Sequence, residues 1–495
     1  MSQNSHARGR GHFRVDLITT TATSIVTAAA LLYVTRLFAT LHGQDGLGYY
    51  VMFRRITAVL VPISSVMIGI GLTRAIAVQR PRVEGPIVAA CTLAAIATAC
   101  ITVALLATPV LRSFPNGAAA TQNTLAGPVV MFIWAHLLYV IAFAYYRGSD
   151  QMRHANILQI VCIAVVPIIA VTLLHGSGDI STPTYFVAAS YGLAGFIAIP
   201  LIFRSAGKLR RFPGEETARL ARYCLPRVPG NLGMTAMLAI APSFALLTHG
   251  IRGAGLLGAA QSAYGVAEAG ASALGLLLLP RIAELHAAGR STEIRSRLSD
   301  VTVALTQGGI LATFLLAFFA SEIIEVWLGR EYSAAVILFQ VTALSLTPYV
   351  LYVALRSAVD AIDERALNTI SIGGAFALQS AILALATRFS PHLASYAAGT
   401  AVGIIALGTT TLGIVARHSL VSIARFDIML TTLAAAPLAS AIAIIDFEPS
   451  WGSFAGKSIL AASCTALYFA ILVFPKRSRT RALFLQSLPR PTKQR

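Results

Sequence analysis

Long apolar stretches recur along the whole chain, and the Lys and Arg residues fall in alternate gaps between them. An apolar stretch of about 20 residues, rising ~1.5 Å per residue as a helix, matches the roughly 30 Å hydrocarbon core of a bilayer. Basic residues held back on one side are the positive-inside signature of a multi-spanning membrane protein. The pattern fixes class, span count and orientation together. Composition agrees: 56% of the residues are hydrophobic, 12% are charged, and mean hydropathy is +0.73. The net charge of +18 is thus a statement about topology and calls for no nucleic-acid partner.

The hydropathy pattern predicts about fourteen spans, at 15–41, 49–78, 86–110, 125–147, 155–175, 183–203, 223–249, 254–283, 301–328, 333–360, 366–387, 393–416, 426–446 and 453–475. With that segmentation, 28 of the 38 basic residues lie on one side, from Arg8, Arg10 and Arg14 through the 204–222 gap to the tail. Five lie on the other: Arg112, Arg252, Arg330, Arg388 and Lys457. A missed span would invert every later gap, so the split supports an even count with both termini cytoplasmic. The first apolar segment reads as a retained helix. All the gaps are short, leaving no room for a soluble catalytic or nucleotide-hydrolysing domain, so the expectation is a transporter and not an enzyme.

Several motifs are set aside on physical grounds. Gly456-Lys457-Ser458 ends like a phosphate-binding loop, but the Gly needed five residues before Gly456 is Trp451. The five cysteines form no CxxC pair, and the ten histidines show no metal-ligand spacing, so neither a disulfide framework nor a metal or other cofactor is expected. Gly399 and Gly403 form a GxxxG pair, read as intramolecular helix packing.

Two constellations carry candidate chemistry. Glu268 lies near the middle of the eighth span, where a carboxylate is costly unless it meets water, a partner or a proton. Gln261, Gly265, Glu268, Ser272 and Gly275 share one helical face, a polar and small-residue stripe flanked by Tyr264 that fits a cavity wall binding a cation or proton. The bland alternative is a neutral, hydrogen-bonded Glu268 locking helix packing. Arg36, Arg54 and Arg55 form the second constellation, at the facing ends of spans 1 and 2. Guanidinium groups match phosphate oxygens as a fork, so these three are candidate phosphate or pyrophosphate ligands; alternatively they snorkel to headgroups. Arg227, beside Pro226 and Pro229, is a candidate for the cytoplasmic entrance or one more positive-inside residue. A faint repeat pairs His42-Gly43…Gly46-Leu47-Gly48 with His249-Gly250…Gly255-Leu256-Leu257-Gly258, consistent with two like-oriented halves.

Arg36-Leu37-Phe38…Gly48-Tyr49-Tyr50, then Gly69-Ile70-Gly71-Leu72-Thr73-Arg74, resembles the opening of polysaccharide export proteins, the Wzx-type lipid-linked oligosaccharide flippases of the MOP superfamily. Tyr223-Cys224-Leu225-Pro226, Leu279-Pro280-Arg281-Ile282-Ala283-Glu284-Leu285 and Trp327-Leu328-Gly329-Arg330-Glu331-Tyr332 resemble the family's second half. The resemblance covers roughly residues 15–365. It implies an all-α polytopic protein with two six-helix lobes in a V around a cationic central cavity, plus two C-terminal helices. The expected division is an N-terminal lobe at 1–205, a basic cytoplasmic linker at 206–222, a C-terminal lobe at 223–417, two further helices at 418–475 and a basic cytoplasmic tail at 476–495. The implied function is flipping an undecaprenyl-pyrophosphate-linked oligosaccharide repeat unit across a bacterial cytoplasmic membrane by alternating access. The implied context is exopolysaccharide, O-antigen or capsule synthesis, with polymerase or co-polymerase partners. A MATE-type cation-coupled multidrug antiporter and a lipid II-type flippase are the alternatives. The sequence departs from the family where Gly258-Ala259-Ala260 lacks the usual Tyr, and the role of Glu268 is not part of the resemblance.

Overall fold

The computed structural model describes residues 3–79, 84–107, 125–174, 180–206, 214–271, 289–362, 367–418, 425–444 and 451–475, with 282, 285, 421, 478–480 and 482. Among these no residue is in a strand; the elements are helices and turns. Among the described residues, nine helices are long and apolar enough to cross a membrane, or ten if Ala335–Ala343 and Leu346–Arg356, bent by 47°, form one span. Two of the nine, Ile18–Ser64 at 47 residues and Gly214–Ala271 at 58, are far longer than the ~20 residues a bilayer needs, and each folds back at a glycine. The chain is a multi-pass membrane protein. Its bilayer-facing chemistry is visible in the exposure of Leu173, Leu247 and Phe389, each at 75% or more. Hydroxyls inside helices return to the carbonyl one turn back, as Thr27 does to Thr23 and Thr57 to Phe53, which spares them an unpaired donor in lipid.

The chain forms two compact units. The first comprises Met1–Gly270 with Gln379–Tyr396. In it lie α1 (Gln3–Ser64), α2 (Ile68–Gln79), α3 (Glu84–Ala107), α4 (Ala126–Gly148), α5 (Met152–Ile160), α6 (Val166–Leu173), α7 (Ser181–Ala206), α8 (Gly214–Cys224), α9 (Val228–Ala260) and, up to its last residue, α10 (262–271). A five-residue π-helical stretch, Val161–Val165, joins α5 to α6 just before Pro167. α1 breaks at Gly43 (φ 64°, ψ −160°) and α9 at Gly250 (φ 68°, ψ −168°), so each is two legs joined by a turn. Left-handed φ at a turn is open to glycine without a Cβ clash. A second break follows α1, where Val66 and Met67 take positive φ beyond Pro62, so the expected second span is split between α1 and α2.

α1 and α9 pack together so tightly that side chains are excluded. A Cβ on Gly48 would overlap the carbonyl oxygen of Ile251, and one on Gly255 would lie 2.7 Å from the Gly48 nitrogen. Beside this contact an aromatic core stacks Phe38 on Tyr50 with ring centres 4.4 Å apart, and Phe53 meets Phe132 of α4 edge-on. A second core joins α2, α3, α4 and the amphipathic α8, where Gly71 allows the approach of Cys224.

The second unit comprises Ala271–Leu378 and Ala397–Arg495. It contains α11 (Ser291–Phe318), α12 (Ala320–Trp327), α13 (Ala335–Ala343), α14 (Leu346–Ile362), α17 (Arg425–Ile444) and α18 (Trp451–Val473). The helices α15 (Leu367–Phe389) and α16 (Leu393–Arg417) run between the units in sequence, their connecting turn belonging to the first. Polar side chains tie α17 and α18 to α11: Gln307 donates to Thr431 (3.2 Å) and accepts from Thr480 (2.7 Å), and Tyr468 donates to the Gln307 carbonyl (2.8 Å). Lys457 of α18 is buried and pairs with Glu322 of α12 at 2.7 Å, with Ser321 donating to the same carboxylate. The lysine of the rejected phosphate-loop motif is thus a structural pin. Gly399 and Gly403 are both buried. The five cysteines are free.

Candidate functional site

The two glycine turns define an internal register. His42-Gly43 and His249-Gly250 are 207 residues apart, and so are Asp45 and Arg252, which form an ion pair (Nε to Oδ1 2.8 Å, Nη2 to Oδ2 3.3 Å). Gly48 meets Gly255 and Val51 meets Gly258, again 207 apart. Three successive contacts between a residue and its own counterpart place a local two-fold relation between the second legs of α1 and α9.

One turn further along lies a cavity of about 180 Å³. Its walls repeat the same register: Leu31 with Leu238, Val51 with Gly258, Arg54 with Gln261, Arg55 with Ser262 and Ala58 with Gly265. Glu268, Tyr264, Ala28 and Leu32 also line it. The shape is shared between the repeats but the charge is not. One wall carries two arginines, and its counterpart carries an amide and a hydroxyl.

The Arg54 guanidinium lies 5.8 Å from the Tyr50 ring centre, one helical turn away, and Tyr50 is itself clamped by Phe38. This aromatic stack backs the cation and holds it at the cavity. Gln261, 1% exposed, has no hydrogen-bond partner for either Nε2 or Oε1 among the described residues. A buried donor or acceptor left unpaired costs about 1–3 kcal/mol, so an amide unpaired at both ends is a substantial liability.

The structure thus brings together Arg54, Arg55, Gln261 and Glu268 from the two constellations. It leaves two expected members outside. Arg36 does not line the cavity; it is exposed on α1, one turn past Leu32 on the face that includes Ala28 and Leu32. Arg227 sits in the short 3-10 turn before α9, stacked 3.8 Å over the Tyr223 ring, with Arg74 on that ring at 4.6 Å. Its guanidinium also donates to the Tyr223 carbonyl, so it is engaged in a local cap at the end of α8. Ser272, Gly275 and Arg281 lie outside the described residues. Ser262 and the Asp45–Arg252 pair escaped the sequence reading. The register was the available signal: extending the His-Gly repeat by two residues sets Asp45 against Arg252. No cluster of three metal-ligating side chains occurs among the described residues.

By sequence the chain matches no protein-family profile and no curated protein. By structure it superposes on the lipid II flippase MurJ in an inward closed conformation with a TM-score of 0.73 at 13% identity, over 95% of this chain and 99% of that one. The chain has the fold of the MOP transporters. An inward-facing multidrug-resistance MATE transporter of the MOP superfamily superposes with a TM-score of 0.62 at 13% identity, over 86% of this chain and 99% of that one. A point mutant of the Vibrio cholerae MATE transporter VcmN gives 0.57 at 15%, over 82% and 97%. Within the MOP fold, the cavity described above is built by the first unit alone.

Proposed function

We propose that the chain is a flippase moving an undecaprenyl-pyrophosphate-linked oligosaccharide repeat unit across a bacterial cytoplasmic membrane by alternating access, without nucleotide hydrolysis. The observation that carries this reading is the pair of arginines, Arg54 and Arg55, in one cavity of a chain with the MOP fold. Two adjacent cations lining one cavity fit a ligand of high negative charge density, and guanidinium groups meet phosphate oxygens in matched geometry. The likeness to MurJ, described as a lipid II flippase, supports a lipid-linked substrate. Arg36 extends the cationic face beyond the cavity and would meet the anion on its way in or out; Arg227 would act at the cytoplasmic entrance. Both termini would lie in the cytoplasm, and polymerase or co-polymerase proteins of a surface-glycan pathway would be its partners.

Glu268 in the same cavity favours a second reading, a MATE-type cation-coupled antiporter, in which the carboxylate takes the cation. In the flippase reading Glu268 carries the coupling cation or proton, or balances the arginines. The two separate in one experiment. A strain deleted for this gene is complemented with wild type, Arg54→Gln/Arg55→Gln and Glu268→Gln, and surface glycan and drug tolerance are both measured. Loss of glycan with the arginine variant, at normal membrane abundance, supports the flippase. Wild-type glycan with that variant sinks it, and loss of drug tolerance with Glu268→Gln alone selects the antiporter.

A further inference from the structure

The two walls of the cavity have the same shape and different chemistry. Arg54 and Arg55 suit a polyanion, whereas their counterparts 207 residues on, Gln261 and Ser262, are neutral. Gln261 sharpens the point, because both ends of its amide are buried and unpartnered among the described residues. The amide offers two N–H donors and one carbonyl acceptor. A phosphate could take the donors but would set its oxygens against the carbonyl. A cation could take the carbonyl but would oppose the N–H groups. A group that both donates and accepts satisfies the whole side chain, and sugar hydroxyls and acetamido groups are of that kind. The size of the cavity agrees. At about 180 Å³ it is smaller than the roughly 300–1,000 Å³ of pockets for drug-sized ligands, so it does not enclose a whole oligosaccharide.

We propose that Gln261 is the specificity element of this cavity, reading the donor–acceptor groups of the sugar joined directly to the phosphate that Arg54 and Arg55 hold. The inference rests on the flippase reading above and goes beyond it. The cavity then recognises a glycosyl phosphate as one unit, with the anion on the α1 wall and the first sugar on the wall formed by Gln261, Ser262 and Glu268. Glu268 adds a hydroxyl acceptor further along the same wall as Gln261. The remaining sugars of a repeat unit lie outside the cavity and go unread by it.

The test uses the full-length protein purified in detergent, with calorimetric titration of geranyl pyrophosphate and of geranyl pyrophosphate carrying glucose, galactose or N-acetylglucosamine. Wild type is expected to bind at least one glycosylated probe about tenfold more tightly than geranyl pyrophosphate, the scale of one or two hydrogen bonds made to an otherwise unpaired buried amide. Gln261→Leu is expected to abolish that preference, read as the ratio of the glycosylated to the unglycosylated affinity. Gln261→Met, of similar length with neither the N–H donors nor the carbonyl, is expected to lose it too, and it carries the test if Gln261→Leu fails to fold. Arg54→Gln/Arg55→Gln is expected to weaken every probe. A preference that survives in the Gln261 variants, or a wild type indifferent to the sugar, overturns the role of Gln261; if the arginine variant still weakens binding, the flippase reading stands. A wild type that binds none of the probes overturns both.

Discussion

Adding one methyl group at Gly255 and one at Gly265 is expected to move stability in opposite directions. Both residues lie in helical segments, so alanine at either gains up to about 1 kcal/mol from reduced unfolded-chain entropy and better helix propensity. They differ in what the methyl meets. At Gly255 the Cβ would sit 2.7 Å from the Gly48 nitrogen and 2.8 Å from the Gly48 Cα, against an ordinary contact of about 3.5 Å. Both obstacles are backbone atoms, so no rotamer change relieves them and the two helices must part by about 0.7 Å. A gap of ~0.5–1 Å forfeits roughly a quarter to a half of each dispersion contact it opens. Overpacking of this kind costs about 1–3 kcal/mol, so the net for Gly255→Ala is a loss of about 1–2 kcal/mol. At Gly265 the Cβ meets no atom within 4 Å, and Gly265→Ala is expected to stabilise by about 0.5–1 kcal/mol. Equilibrium unfolding in mixed micelles, followed by tryptophan fluorescence, measures both. A Gly255→Ala protein as stable as wild type would refute the close approach of α1 and α9. A Gly265→Ala protein destabilised to the same extent would refute the open wall at that position.

Other consequences are testable in the same preparations. Lys457→Met leaves the partly buried Glu322 without its cation and should cost about 1.5–3 kcal/mol, whereas Lys457→Met with Glu322→Leu should recover most of it; thermal unfolding and alkylation of Cys464 on the same helix report the difference. Asp45→Asn breaks the pair with Arg252, whose side chain is 66% exposed against 47% for Asp45, so its effect on unfolding should stay within about 1 kcal/mol and shrink with salt. Arg227→Ala should leave the affinity for geranyl pyrophosphate unchanged, because that guanidinium stacks on Tyr223 outside the cavity; a loss as large as that of Arg54→Gln/Arg55→Gln would move the anion site to the α8 end.

The all-helical, multi-pass class was legible because the bilayer imposes the length of apolar helices; nine or ten of the roughly fourteen expected spans are long and apolar enough among the described residues. Their joints were legible only in part. The turns at Gly43 and Gly250 fall in gaps of the expected segmentation, but hydropathy is blind to a kink within one apolar stretch, so the break of the expected second span at Val66 and Met67 was not visible. Within the candidate site, Glu268 and Gln261 were found by helical spacing, since a polar stripe on an apolar helix survives any detail of packing. Arg36 was grouped with Arg54 and Arg55 because the link between their spans is short. Proximity along the chain did not reveal how far along each leg the cavity reaches, and Arg36 lies a turn beyond the residues that enclose it. The partner of Asp45 was hidden for a different reason: the pair joins positions 207 apart, and only the repeat brings them into register.

The contact of Asp45 with Arg252 also says something about how the chain is organised. Residues on a local two-fold meet their own counterparts. Two identical hairpins packed in this way would set Asp against Asp or Arg against Arg, and like charges at that spacing repel. Attraction at the axis is open only to halves carried on one polypeptide, where each copy is free to change alone. The same freedom lets Arg54 stand opposite Gln261. Joining the repeats covalently is what allows a fold of two like halves to present unlike chemistry on its two walls.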